Sequence, residues 1–264
     1  NDMWYAFLVV YSNEVSSNSI TFRIWDASTG IVFLADPGII IGFANNTTVG
    51  SPAQPQRFDA GNMVCQNLEL SPGWNWISFQ VKSPLLGSLN ELLTDLSWDS
   101  SNFFKSEADN LSANYSVVQG KWVEENPLTM TNSRMYKVST TITQTLAIAG
   151  NKIKPSSESI PVIGNQWNYI GYLPAVRLKV DEALAGYEAH EKDIIKSQDA
   201  FAMYAGNIGW VGSLSYLEPD KGYMLFRNGN DGVNLRYPDT EGTLKGGYTD
   251  HSGGFVSHAY SGNM

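Results

Sequence analysis

A repeat limits what this chain can become more than any composition figure does. Gly73-Trp74-Asn75-Trp76-Ile77-Ser78-Phe79 returns 93 residues later as Gln166-Trp167-Asn168-Tyr169-Ile170-Gly171-Tyr172. The echo continues in order. Ser88-Leu89-Asn90-Glu91-Leu92-Leu93 corresponds to Lys179-Val180-Asp181-Glu182-Ala183-Leu184, Phe104-Lys105-Ser106-Glu107 to Ile195-Lys196-Ser197-Gln198, and Trp122 to Trp210. Arg134-Met135-Tyr136-Lys137-Val138 then matches Lys221-Gly222-Tyr223-Met224-Leu225, where the offset has drifted to 87. Ordered self-similarity of this kind marks copies of one structural unit. It sets the expected organisation: a β segment over 1–62, repeat module 1 over 63–154, repeat module 2 over 155–240, and a linker or arm over 241–264.

Both copies predict the same elements. Trp74, Trp76 and Ser78 alternate with Asn75, Ile77 and Phe79, and bulky residues on both faces predict a strand buried between layers. Leu89, Leu92, Leu93 and Leu96 follow at i, i+3, i+4 and i+7, one buried helical face, with Ser88 and Glu91 spaced as a capping box. Val180, Ala183, Leu184 and Tyr187 repeat that spacing. Short strands bounded by turns such as Glu218-Pro219-Asp220-Lys221-Gly222 complete the module. Within 1–62, the aromatic and β-branched runs 4–11, 19–25 and 39–43 are separated by turn signals such as Asp26-Ala27-Ser28-Thr29-Gly30. The expected fold class is mainly β, as tandem β-sandwich-like modules with one short helix each. A few strands in about 60 residues are marginal alone, so the first segment reads as incomplete. The Gly- and Ser-rich end reads as a linker or arm.

Composition excludes partners. With 26 acidic against 17 basic residues the net charge is −9, the opposite of the basic face that nucleic-acid binders need. The apolar run at residues 3–10 has eight residues and is extended only by Tyr11, against roughly 20 for a spanning helix. No nucleic acid and no membrane insertion are expected. Cys65, the single cysteine, reads as a small buried hydrophobe.

Chemistry-bearing patterns are sparse. His190 lies among Glu188, Glu191 and Asp193, but no second His stands at ligand spacing, so 186–193 reads as a solvated charged loop. No G-x-S-x-G, H-E-x-x-H or phosphate-loop motif occurs; the chain reads as a non-enzyme without a cofactor. Asn228, Asn230 and Asp231 offer oxygens to Ca²⁺, against the simpler reading of a tight turn. Trp98, Trp122, Tyr204 and Trp210 lie near turns and are candidates for a glycan platform, against the reading that Trp122 and Trp210 are repeated core positions. Trp4, Phe7 and Leu8, in an expected strand over 3–11, are candidates for assembly by edge addition.

The strings Leu70-Ser71-Pro72-Gly73-Trp74-Asn75-Trp76-Ile77-Ser78-Phe79, Trp210-Val211-Gly212-Ser213-Leu214 and Leu217-Glu218-Pro219-Asp220-Lys221-Gly222-Tyr223-Met224 resemble the tandem GWNWIS/KGYM-type β modules of large secreted or surface proteins of Bacteroidota-type bacteria. Such modules often follow an immunoglobulin-like segment, which Ile20-Thr21-Phe22-Arg23-Ile24-Trp25 looks like. Thr131-Asn132-Ser133-Arg134-Met135-Tyr136 departs from the Pro-x-Lys-Gly-Tyr pattern, which predicts a looser closing turn in module 1. The resemblance implies export and a role as stalk, spacer or adhesive repeat, with neighbouring domains of one long chain as partners; it transfers no catalytic residue. The expected function is an extracellular structural or adhesive repeat segment of a larger secreted or surface protein, its modules joined by a short Pro-stiffened linker over 150–159. Two alternatives stand beside it: a carbohydrate-binding accessory region of a secreted hydrolase, and a filament subunit that self-associates by strand addition.

Overall fold

Strands of two to nine residues are the dominant regular structure, with 42% strand against 9% helix. The fold is mainly β, and the two α-helices among the described residues are single turns. The computed structural model describes residues 8–11, 15–20, 23–26, 31–34, 41–56, 63–106 and 111–240. The chain divides into two compact units, Asn1–Asn62 with Tyr248–Met264, and Met63–Gly247.

In the first unit, β1 (Ser16–Ile20) pairs antiparallel with β4 (Ile41–Ala44), with a register irregularity between Ser17 and Ile20. β2 (Arg23–Asp26) pairs with β3 (Ile31–Leu34), Asp26 opposite Ile31. The run expected as one strand over 19–25 is thus divided between β1 and β2. Residues 8–11 form no strand, and Leu8 is exposed. Trp4 and Phe7 lie outside the described residues, as does the expected arm 241–264 with His251 and His258.

The second unit begins with β5 (Met63–Leu70), β6 (Gly73–Ser78), β7 (Val81–Lys82), α1 (Leu89–Leu92), β8 (Phe103–Ser106), β9 (Leu111–Ser116), β10 (Lys121–Glu124), β11 (Met135–Thr140) and β12 (Gln144–Lys152). One sheet has the order β10-β9-β8-β11-β6 and the other β5-β12-β7. Leu68, Leu70, Ile77, Phe79, Phe104, Val138 and Ile148 meet in one core with Leu89 and Leu92 of α1; burying each such side chain contributes about 1.5–3 kcal/mol. The helix is shorter than the leucine spacing suggests, yet Leu93 is buried beyond its end. Ser88 Oγ accepts from the Glu91 N–H at 3.4 Å, as the capping pattern predicts.

The chain continues with β13 (Ile160–Val162), β14 (Trp167–Gly171), β15 (Leu178–Lys179), α2 (Val180–Ala183), β16 (Ile194–Lys196), β17 (Phe201–Tyr204), β18 (Trp210–Gly212), β19 (Tyr216–Leu217), β20 (Gly222–Phe226) and β21 (Val233–Leu235). Its main sheet runs β18-β17-β16-β20-β14, which matches β10-β9-β8-β11-β6 strand for strand. The pair β13–β21 stands where β5–β12 stands in the first copy. A second core forms from Ile160, Ile170, Tyr172, Val180, Ile195, Leu225 and Leu235.

Side-chain bonds repeat with the strands. Asn75 Oδ1 accepts from the Ser71 N–H at 2.9 Å, and its amide donates to Ser71 O and Gly73 O. Asn168 does the same with Ile163 and Gln166. Each Asn so braces the turn that feeds its strand, satisfying loop groups that would otherwise be buried unpaired. From the helices, Asn90 Oδ1 accepts the Trp122 N–H at 2.7 Å and Asp181 Oδ1 the Trp210 N–H at 3.1 Å. Tyr136 OH accepts from Thr131 N–H, and Tyr223 OH from Glu218 N–H, both at 2.7 Å. The closing turn of module 1 is therefore held by the same bond as its counterpart and is not looser there.

The modules meet through reciprocal backbone contacts. Ser78 N–H donates to Asp220 O at 3.2 Å, and its repeat equivalent Gly171 N–H donates to Ser133 O at 3.0 Å. Giving and taking the same bond from equivalent positions is the pattern of an isologous interface. Ser78 Oγ accepts from Tyr172 N–H at 3.1 Å and donates to Lys221 O at 2.8 Å. Gln80 donates to Pro174 O, and Gln66 to Asp220 Oδ1. The backbones lie so close that a Cβ on Gly171 would stand 2.1 Å from Asn132 O, and one on Gly222 2.3 Å from Met135 Cβ. The stretch 150–159 is no free linker: β12 runs into it, Ile153 belongs to the second core, Pro155 is buried, and Lys82 pairs with Glu158 at 2.6 Å.

Candidate functional site

Period-two alternation buries Ile77 and turns Trp74 and Trp76 outward, Trp74 being 40% exposed. The strand expected to be covered on both faces is covered on one. Register then decides what stands beside these rings. Lys137 lies opposite Trp76 and Lys105 opposite Lys137; farther along come Ser112 opposite Lys105, Asn114 opposite Phe103, and Lys121 opposite Ser116. In module 2 the same face carries Trp167 opposite Phe226, Tyr169 opposite Met224, and Lys196 opposite both Met224 and Phe201.

The ammonium groups lie over the rings. Lys105 Nζ is 5.4 Å from the Trp74 centroid, Lys196 Nζ 4.5 Å from Trp167, and Lys137 Nζ 4.9 Å from Trp76 and 5.4 Å from Tyr169. These are cation–π distances. Lys137 reaches rings of both modules, so the outer faces of the two five-stranded sheets are continuous. Outward strand positions on this face hold Lys105, Lys121, Lys137 and Lys196 and no Asp or Glu, in a chain whose acids outnumber its bases 26 to 17. Such a surface offers flat apolar rings and positive charge together. Sequence reasoning missed it because Asn75, Ile77 and Phe79 on one side of β6 look as bulky as Trp74 and Trp76 on the other.

The aromatics singled out from sequence lie on the inner side. Trp122, 3% exposed, packs edge-on against Trp98 at 4.9 Å and Tyr115 at 5.8 Å, and Trp98 Nε1 donates to Leu93 O. Trp210 packs on Tyr204 at 5.4 Å and Tyr187 at 6.5 Å. The pairs Trp122 with Tyr115 and Trp210 with Tyr204 are directly opposed across equivalent hairpins. These four residues brace the modules from inside; the exposed platform consists of other rings.

The loop read as solvated contains the most deeply buried charge. Asp193 is 0% exposed and accepts from Tyr187 OH at 2.6 Å, His190 N–H at 2.8 Å and Asn228 N–H at 2.6 Å. Arg227, 2% exposed, lies 3.5 Å from it and donates to Glu188 O at 2.7 Å and Asp231 Oδ2 at 2.9 Å. A buried ion pair survives only where hydrogen bonds complete it, and this one is complete. Burial, then the bond to Asp193, pushes the Tyr187 phenol above its ordinary range. The Arg227 hydrogen bond holds the Asp231 carboxyl below the usual carboxylate value.

The residues considered for Ca²⁺ border this network. Asp231 is engaged by Arg227, Asn230 Oδ1 accepts from the Asn165 amide, and the Asn228 amide donates to Glu191 O. Among the described residues no group of three or more His, Cys, Asp or Glu is placed to hold a metal. Burial raises the Cys65 thiol above its ordinary value. A cleft of about 10 Å³, bordered by Gln80, Ile153, Leu173 and Thr240, has room for a single water.

Comparisons of the chain with protein-family models, with curated proteins and with solved structures find no match. No helix among the described residues is long and apolar enough to cross a membrane.

Proposed function

We propose that the chain is an extracellular structural or adhesive repeat segment of a larger secreted or surface protein, acting as a stiff display or stalk module rather than as an enzyme. One observation carries this reading. Ser78 and Gly171 each donate an equivalent backbone bond across the module junction, to Asp220 O and Ser133 O, and Gly171 and Gly222 sit where no side chain fits. A junction of that kind has no hinge residues, and a segment that holds a surface away from its anchor needs none.

Other features support it. The buried ionisable groups Asp193 and Arg227 are bound to each other and to the backbone around them. The repeat's resemblance to modules of exported proteins supports an extracellular setting. Single-molecule stretching of the full chain tests the mechanical part: residues 63–240 should release in one step of about 60 nm at roughly 3.3–3.6 Å per residue. Two separate steps of half that length would overturn it. A membrane-impermeant amine label on producing cells tests the location, and failure to label the chain on intact cells would contradict it.

A further inference from the structure

We infer that the outer face shared by the two five-stranded sheets binds an acidic polysaccharide. Sugar rings would stack on Trp74, Trp76, Tyr169 and Trp167, and the polymer's anionic groups would be met by Lys137 and Lys196. The inference deepens the adhesive reading and rests on the two modules holding one fixed arrangement, since Lys137 reaches rings on both sides of the junction.

Three observations converge. First, the rings form a row. Trp74 and Trp76 are same-face neighbours two residues apart on β6, as are Trp167 and Tyr169 on β14, which spaces them about 7 Å along each strand. The C–H groups on a pyranose face carry partial positive charge and suit the negative face of an aromatic ring. Second, the charge is selective. Lys105, Lys121, Lys137 and Lys196 occupy outward strand positions that hold no acid, although the chain carries a net −9. A surface placed at random on this protein would be acidic, so the face is complementary to an anion. Third, the overall negative charge works against a polyphosphate, which carries one charge on every residue. It tolerates a glycan whose charges are spaced out by neutral sugars and hydroxyls. Sugars can displace the lysine stems from the rings without burying the ammonium groups, which then turn to the carboxylates or sulfates.

Affinity electrophoresis of the full chain tests this, with polygalacturonate and chondroitin sulfate in the gel beside two neutral polymers, fully methyl-esterified galacturonan and dextran. At least one acidic polymer should retard the protein, and the neutral ones should not; which acid succeeds separates uronate from sulfate recognition. Trp76→Ala and Trp167→Ala should each weaken retardation about tenfold, and Lys137→Gln several-fold with a shallower salt dependence. Lys179→Gln, off this face, should change nothing. Trp74→Ser, at the most exposed of the rings, keeps the test open should a Trp76 or Trp167 variant fail to fold. No retardation by either acidic polymer overturns the inference. So does equal retardation by an oligothymidylate that only the lysine variant relieves, because that is charge without stacking. Lost binding with one-step stretching sinks this inference alone; two-step stretching with binding retained sinks the stalk reading alone.

Discussion

Asp193 has a counterpart in module 1, and the two sites differ by a pair of residues. Asn102 stands in the same place: it accepts the Asp99 N–H at 2.7 Å as Asp193 accepts that of His190, and its carbonyl receives Tyr115 N–H as that of Asp193 receives Tyr204 N–H. Module 1 has Thr140 where module 2 has Arg227, so acid and base occur together in one copy and are absent together in the other. That covariation is what the cost of an unpaired buried charge requires. Asp193→Ala takes one of two carboxylates from Arg227, which keeps Asp231, and leaves the Tyr187 hydroxyl and the His190 and Asn228 N–H groups without their acceptor; it should cost about 3–5 kcal/mol in urea unfolding, whereas Asn102→Ala should cost about 1–3 kcal/mol. Equal losses at the two sites would contradict the assignment. The tyrosines set the alkaline limit. Burial above all pushes the phenols of Tyr172, Tyr187, Tyr223 and Tyr237 upward. Their contribution is therefore complete below about pH 10, where the unfolded chain is also protonated, and is lost as pH rises toward the folded values. The urea midpoint should fall steeply above about pH 10, with tyrosinate absorbance rising in step with unfolding. Full tyrosinate absorbance in the folded protein at that pH would contradict it. On the acid side Asp99, Asp231 and Asp239 are lowered, so the small contribution of these exposed groups fades below about pH 4.

Among the elements, the repeat made the equivalence of the two copies legible before any coordinates, though not the order of strands within a sheet: blocks at a nearly constant offset became strands at the same places in two sheets. Asn75 and Asn168 were visible as repeated letters, but their bracing of the preceding turn was not, because a side chain closing onto backbone four or five residues away leaves no periodic signal. The orientation of β6 was also hidden. Period two divides its residues into two sets, and both sets are large, so hydrophobicity alone does not say which faces inward. For 186–193 the density of charge pointed to water, while the partner that buries Asp193 lies 34 residues on, across β16 and β20. The joint at 150–159 misled through composition: Pro155 and three serines suggest a spacer, yet Ile153 is core. Glycines at the junction test how tight the elements are. Gly171→Ala forces a Cβ to 2.1 Å from a carbonyl oxygen and should cost roughly 1–3 kcal/mol. Gly87→Ala, which meets nothing within 4 Å, should stay within about 0.5 kcal/mol. A Gly171→Ala protein as stable as wild type would show that the modules separate easily.

At the scale of the whole molecule, an acidic chain with pI about 4.8 places lysines and indole rings on one face and fuses two copies of a module so that this face is continuous. The copies have separate cores, and separate cores usually permit motion; the reciprocal bonds at Ser78 and Gly171 oppose it. Function in this account depends on that opposition, because a display segment needs stiffness and a polymer-binding face needs rings from both copies in fixed relation. The most direct test is the alignment of the two modules in solution. Residual dipolar couplings from amides in 63–152 and in 160–237 of the full chain should fit one alignment tensor, with the same magnitude and axes. Tensors that differ in magnitude or direction would mean that the modules reorient independently, and the account of a single stiff body would be wrong.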